Sequence, residues 1–151
     1  MAVVVFSQGL AAPMRITQRI LTSLLALAGL FFGGTFVVGG MIGASGFLGA
    51  GSLGDVMSTA GYGFTDNSVR FLGGIFFVTG LGFAYCLTDV ERKLPLYYFL
   101  LMSVFLGGTA RIIGWVASGV VQSTIVPTII ELAFPAAIFV LHRFTQSSGV
   151  E

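Results

Sequence analysis

Residues Ile20–Val38 read ILTSLLALAGLFFGGTFVV, nineteen positions without an ionisable side chain. The hydrocarbon core of a bilayer is about 30 Å thick and takes about 20 apolar residues to cross at 1.5 Å each, so this stretch is predicted to be a transmembrane helix. Three further apolar stretches of similar length follow, at about 69–87, 95–114 and 122–142. The chain is therefore read as all-α, a single membrane domain over residues 1–151: a bundle of four transmembrane helices with a glycine-rich connection between the first two.

Composition points the same way. Hydrophobic types make up 56% of the 151 residues and charged types 9%, against about 25% charged in soluble domains. The net charge of +1, with no long basic run, offers no footprint for nucleic acid. Cys86 is the single cysteine, so neither an intrachain disulfide nor a thiolate metal cage can form, and it reads as a packing residue. No nucleophile and base pair or phosphate loop accompanies the spans. The expectation is a non-enzymatic protein without cofactor or metal.

Outward from the first span, Met1 to Pro13 is apolar and is followed, not preceded, by Arg15 and Arg19. That order is wrong for a signal peptide. The segment is expected to be retained and to lie along the membrane surface, with the two arginines marking the headgroup end of span one. Gly39 to Asn67 is rich in glycine. It is either an element packed on the bundle or a mobile loop, and the packed reading is favoured because Phe47, Leu48, Leu53, Val56 and Met57 would be unfavourable in water. Thr65, Asp66, Asn67 and Ser68 are capping types and predict a helix start just before Val69. Asp89 to Lys93 is a dense charge run, followed by Pro95 at a plausible first helical position. Thr145 to Glu151 is expected to be disordered.

With four spans, Arg15, Arg19, Arg92, Lys93 and Arg143 fall on one side, and Asp55 and Asp66 on the other. Cations are retained in the cytoplasm, so both termini are expected there. Trp115 and Tyr62 then mark the outer interface, and Tyr85, Tyr97, Tyr98 and His142 the inner one. His142 reads as a headgroup contact rather than a pigment ligand.

Arg70, Arg111 and Glu131 lie within apolar segments, where ionisable groups are unfavourable, face the bundle interior and are candidate functional residues. Gly73 and Gly74 follow Arg70 by one turn, and Gly107 and Gly108 precede Arg111 by one turn. In antiparallel helices this sets both arginines at similar depth beside a close glycine contact. Glu131 is the acid that could pair with them, and Pro135 frees its carbonyl as a second acceptor. Asp66 and Asn67 could complete an outer-leaflet polar cluster with Arg70, Arg111 and Glu131. Such a cluster is structural, fixing helix register, or a site for an anionic lipid headgroup or carboxylate, with an enzymatic or proton-relay role the least favoured reading. Gly29–Gly33 and Gly39–Gly43 also carry the small-xxx-small spacing of close helix contacts.

The run Asn67-Ser68-Val69-Arg70-Phe71-Leu72-Gly73-Gly74, then Gly80-Leu81-Gly82, then Phe105 to Arg111, and Glu131 with Pro135, resembles the small bacterial membrane proteins of the DUF4345 family over roughly Ile20 to Leu141. The resemblance implies a four-helix fold and a bacterial inner membrane, and it lends Arg70, Arg111 and Glu131 importance without a role. Two functions are carried forward. One is an accessory or structural subunit whose partners are other transmembrane proteins of a larger complex, with lipid around it and a homo-oligomer compatible. The other is a small carrier or lipid/anion-binding protein using the arginine and glutamate pocket. The first expects both arginines paired within the chain, the second a cavity between them.

Overall fold

The computed structural model describes residues 2–48, 62–119 and 122–147. Four long helices, α1 (Ala2–Leu48), α2 (Tyr62–Leu87), α3 (Leu94–Ser118) and α4 (Ile125–Ser147), are joined in order, with a 3-10 turn at Gln122–Thr124 leading into α4. Each helix contains an apolar stretch long enough to cross a membrane: Arg15–Ala44, Tyr62–Leu87, Leu94–Ala117 and Ile125–Thr145. The chain is a multi-pass membrane protein. Hydroxyls inside these stretches return to the carbonyl one turn back, as Thr35 does to Phe31, Thr79 to Ile75 and Thr109 to Phe105, which satisfies them where water is absent.

The helices outrun the predicted spans. The backbone of residues 2–13, expected as a separate surface stretch, is continuous with α1. Gly39 does not end that helix: one non-helical residue, Gly40, kinks it and helical geometry resumes to Leu48. Second, α2 starts at Tyr62, not Val69, so Thr65, Asp66 and Asn67 lie within its first turns rather than before them. At the other end α4 reaches Ser147, overriding the disorder expected from Thr145. The packing of Leu53, Val56 and Met57 and the place of Asp55 lie outside the described residues.

Local chemistry sets the remaining ends. Pro95 sits in the first turn of α3, where a missing N–H needs no partner. Gly119, at φ 88°, closes that helix by donating its N–H to the Trp115 carbonyl at 2.9 Å. Lys93 caps the end of α2, its Nζ donating to the Tyr85 carbonyl at 2.7 Å and to Thr88 Oγ1 while lying over the Tyr85 ring.

Glycines bring α1 and α2 into backbone contact. A Cβ on Gly29 would stand 2.8 Å from Gly80 Cα, one on Gly33 2.3 Å from the Phe77 nitrogen, and one on Gly73 2.8 Å from the Val37 nitrogen. Pair numbers rise on one helix as they fall on the other, so the two are antiparallel. The α3–α4 pair is also antiparallel: Tyr98 meets Phe139, Gly108 meets Glu131 and Leu132, and Trp115 Nε1 donates to Thr124 Oγ1. A core of Leu25, Phe83, Cys86, Tyr97, Leu101 and Ile138 draws on all four helices. The bundle thus has a lower end, where α1 passes Arg15 and α2 turns into α3, and an upper end, where α1 kinks.

Candidate functional site

At the upper end the kink in α1 determines what Arg70 and Asp66 do. Gly40 has φ 54° and ψ −137°, a region closed to other residues. The break exposes a helix C-terminus before it and a helix N-terminus after it, each with unsatisfied backbone groups. Residues from α2 satisfy both. Asp66 Oδ1 accepts the Met41 N–H at 2.8 Å, and Arg70 Nη1 donates to the carbonyls of Val37 at 2.9 Å and Val38 at 2.8 Å. The two side chains are themselves joined, Arg70 Nε to Asp66 Oδ2 at 2.8 Å. The carboxylate lies at the positive helix end and the guanidinium at the negative one, the favourable arrangement for the helix dipoles. Asp66 and Arg70 are thus a clamp that replaces the broken turn of α1.

Arg111 and Glu131 form a second, separate unit between α3 and α4. The contact is two-pronged, Nε to Oε2 at 2.8 Å and Nη2 to Oε1 at 3.1 Å, the strong planar form of this interaction. Gly108, one turn before Arg111, makes room for it, since a Cβ there would meet Glu131 Cβ at 3.0 Å and Leu132 Cγ at 2.9 Å. Both guanidinium hydrogen bonds go to the carboxylate, and none goes to the Glu131 carbonyl that Pro135 frees.

The residues expected in one cluster therefore divide in two, because the glycines set different neighbours: Gly73 packs on α1 and Gly108 on α4. No hydrogen bond or ion pair among the described residues links Arg70 to Arg111. Asn67 is exposed and joins neither unit. Gly74 and Gly107 have nothing within 4 Å of a built Cβ, so neither makes the close contact expected of it.

A third polar group, at the lower end, joins α1, α3 and α4. Thr22 has one hydroxyl proton and donates it to the Gln18 carbonyl at 2.8 Å, so the Tyr97 hydroxyl, 2.6 Å from Thr22 Oγ1, must donate to Thr22. Gln18 Nε2 then donates to the Tyr97 oxygen at 3.4 Å and to His142 Nδ1 at 3.2 Å. His142 Nδ1 being an acceptor, the proton of the neutral ring is on Nε2, which is buried without a hydrogen-bond partner among the described residues. The imidazole is only 1% exposed and packs edgewise against Tyr97 and Tyr98. This corrects the headgroup role expected for His142, because α4 turns the ring inward onto Gln18.

A family model described as a domain of unknown function, DUF4345, matches residues 17–142, a stretch that contains all three polar groups. The chain belongs to the DUF4345 family. No curated protein and no solved structure matches it significantly. In this DUF4345 chain the two embedded arginines stood out in sequence because charge interrupts apolar runs. Tyr97, expected to mark the inner interface, is instead fully buried, and Gln18 and Thr22 did not stand out, being uncharged. The signal that could have found them is the four-residue spacing of Gln18 and Thr22, which sets two polar groups on one face of an apolar helix.

Proposed function

We propose that this DUF4345 chain is a non-enzymatic accessory or structural subunit of a larger assembly in a bacterial inner membrane, docking through its lipid-facing helices. The observation that carries this reading is that both embedded arginines are matched within the chain: Arg111 by Glu131, and Arg70 by Asp66 and two α1 carbonyls. The outward faces carry large apolar side chains, among them Phe31, Phe71, Val78 and Val116. These suit either lipid or the helices of a partner. Arg15, Arg19, Arg92 and Lys93 fall at the lower end, which favours cytoplasmic placement of that end and of both termini.

The test is extraction in mild detergent, native gel separation and mass spectrometry of what travels with the chain. Co-migration at fixed stoichiometry, lost on Val78→Trp without a fall in thermal stability, is the expected result. Migration alone, as a monomer or homo-oligomer, overturns the reading.

A further inference from the structure

The lower end holds a pocket of about 450 Å³, within the roughly 300–1,000 Å³ of small-molecule sites. Its floor is Gln18, Thr22 and Tyr97, where Gln18 Nε2 and the two hydroxyls are engaged with one another. Its rim is charged on two sides. On one, Arg15 and Arg19 stand one turn apart on α1; on the other, the α2–α3 turn contributes Asp89 and Glu91.

Not all of these charges are available. Asp89 is tied to Arg92, accepting its backbone N–H at 3.2 Å and facing its Nε at 3.3 Å. Arg15, Arg19 and Glu91 form no ion pair among the described residues. Two cations from α1 and one anion from the α2–α3 turn therefore line the hollow. Its depth is set by the α2–α3 connection: Leu87 ends the apolar stretch of α2 and the charged run Asp89–Lys93 follows it, so the pocket lies where hydrocarbon gives way to headgroups. Ile16 on its wall gives it an apolar flank.

We propose that this pocket binds a zwitterionic phosphate ester bearing a primary ammonium, with its phosphate on Arg15 and Arg19 and its ammonium on Glu91, supplied as the headgroup of a membrane lipid. A purely anionic headgroup satisfies the arginines and is repelled by Glu91. A quaternary ammonium reaches Glu91 without an N–H to donate.

Native mass spectrometry of the full chain in non-ionic detergent tests this, with phosphatidylethanolamine, phosphatidylcholine and phosphatidylglycerol added separately. Phosphatidylethanolamine should be retained best. Glu91→Gln should weaken it about tenfold, the loss of one charge-assisted hydrogen bond, and strengthen phosphatidylglycerol. Arg15→Gln with Arg19→Gln should weaken both lipids, and the paired lysine variants should keep most of the binding. All three side chains lie on the surface, so unchanged melting temperatures will show that the variants fold. Soluble glycerophosphoethanolamine should compete poorly; equal competition would support the same charge pattern with a water-borne source. Equal retention of the three lipids, or no effect of Glu91→Gln, overturns the proposal.

Discussion

Two adjacent glycines in α1 face opposite demands. Gly39 has helical backbone and nothing within 4 Å of a built Cβ, whereas at Gly40 a Cβ would meet Asp66 Oδ1 at 2.0 Å and Arg70 Nε at 2.8 Å on a backbone with φ 54°. Gly40→Ala should therefore cost about 3 kcal/mol or more, from backbone strain and displacement of the clamp. Gly39→Ala should be neutral or stabilising by up to about 1 kcal/mol through helix propensity. Thermal unfolding in detergent micelles compares the two, and similar stabilities would mean that the kink is not held as described. Glu131 obeys a different rule. Glu131→Gln leaves the Arg111 guanidinium without its counter-charge and should lose about 3 kcal/mol. The double variant Arg111→Gln with Glu131→Gln removes both charges and should lose less than the single one. A Glu131→Gln protein as stable as wild type would exclude the pair as a structural tie.

Helix contacts explain which parts of this architecture were readable. Four apolar stretches are visible because each is long and nearly free of charge. The helix ends differ from expectation where glycine and capping residues suggest a stop at Gly39 and a start after Thr65: α1 kinks at Gly40 and resumes, and α2 is already helical from Tyr62. There, Asp66 caps the resumed α1 from across the helix pair instead of capping its own helix. A capping type in the sequence does not say which helix it caps. In the same way Arg70 and Arg111 were found, but their partners depend on how each helix is rotated, and a chain with 22 glycines does not show which of them are contacts. Substitution separates them. Gly33→Ala forces apart α1 and α2, where a Cβ would lie 2.3 Å from the Phe77 nitrogen, and should destabilise strongly. Gly107→Ala projects into open space and should be tolerated or mildly stabilising, by at most about 1 kcal/mol. If both variants melt together, the glycine seam does not hold α1 to α2.

The bundle is tied differently at its two ends, with ion pairs and helix caps above and a neutral hydrogen-bonded group below. Tyr97 anchors the lower end, since its hydroxyl donates to Thr22 and accepts from Gln18, while its ring packs on Phe83 and His142. Tyr97→Phe keeps the ring, leaves Thr22 and Gln18 each short of a partner, and should cost about 1–3 kcal/mol. From Tyr97 to Arg111 along α3 is about 20 Å at 1.5 Å per residue, well beyond the distance at which effects interact. If the four helices unfold as one unit, the losses from Tyr97→Phe and Glu131→Gln should add to within about 0.5 kcal/mol in the combined variant. They should also appear as a single transition in both far-ultraviolet circular dichroism and tyrosine fluorescence. Two separate transitions, each shifted by one substitution, would instead show that the upper and lower ends of the bundle open independently. The core shared by all four helices argues for the single transition, because Tyr97 lies against Phe83 of α2 and His142 of α4 and cannot lose one neighbour without loosening the other.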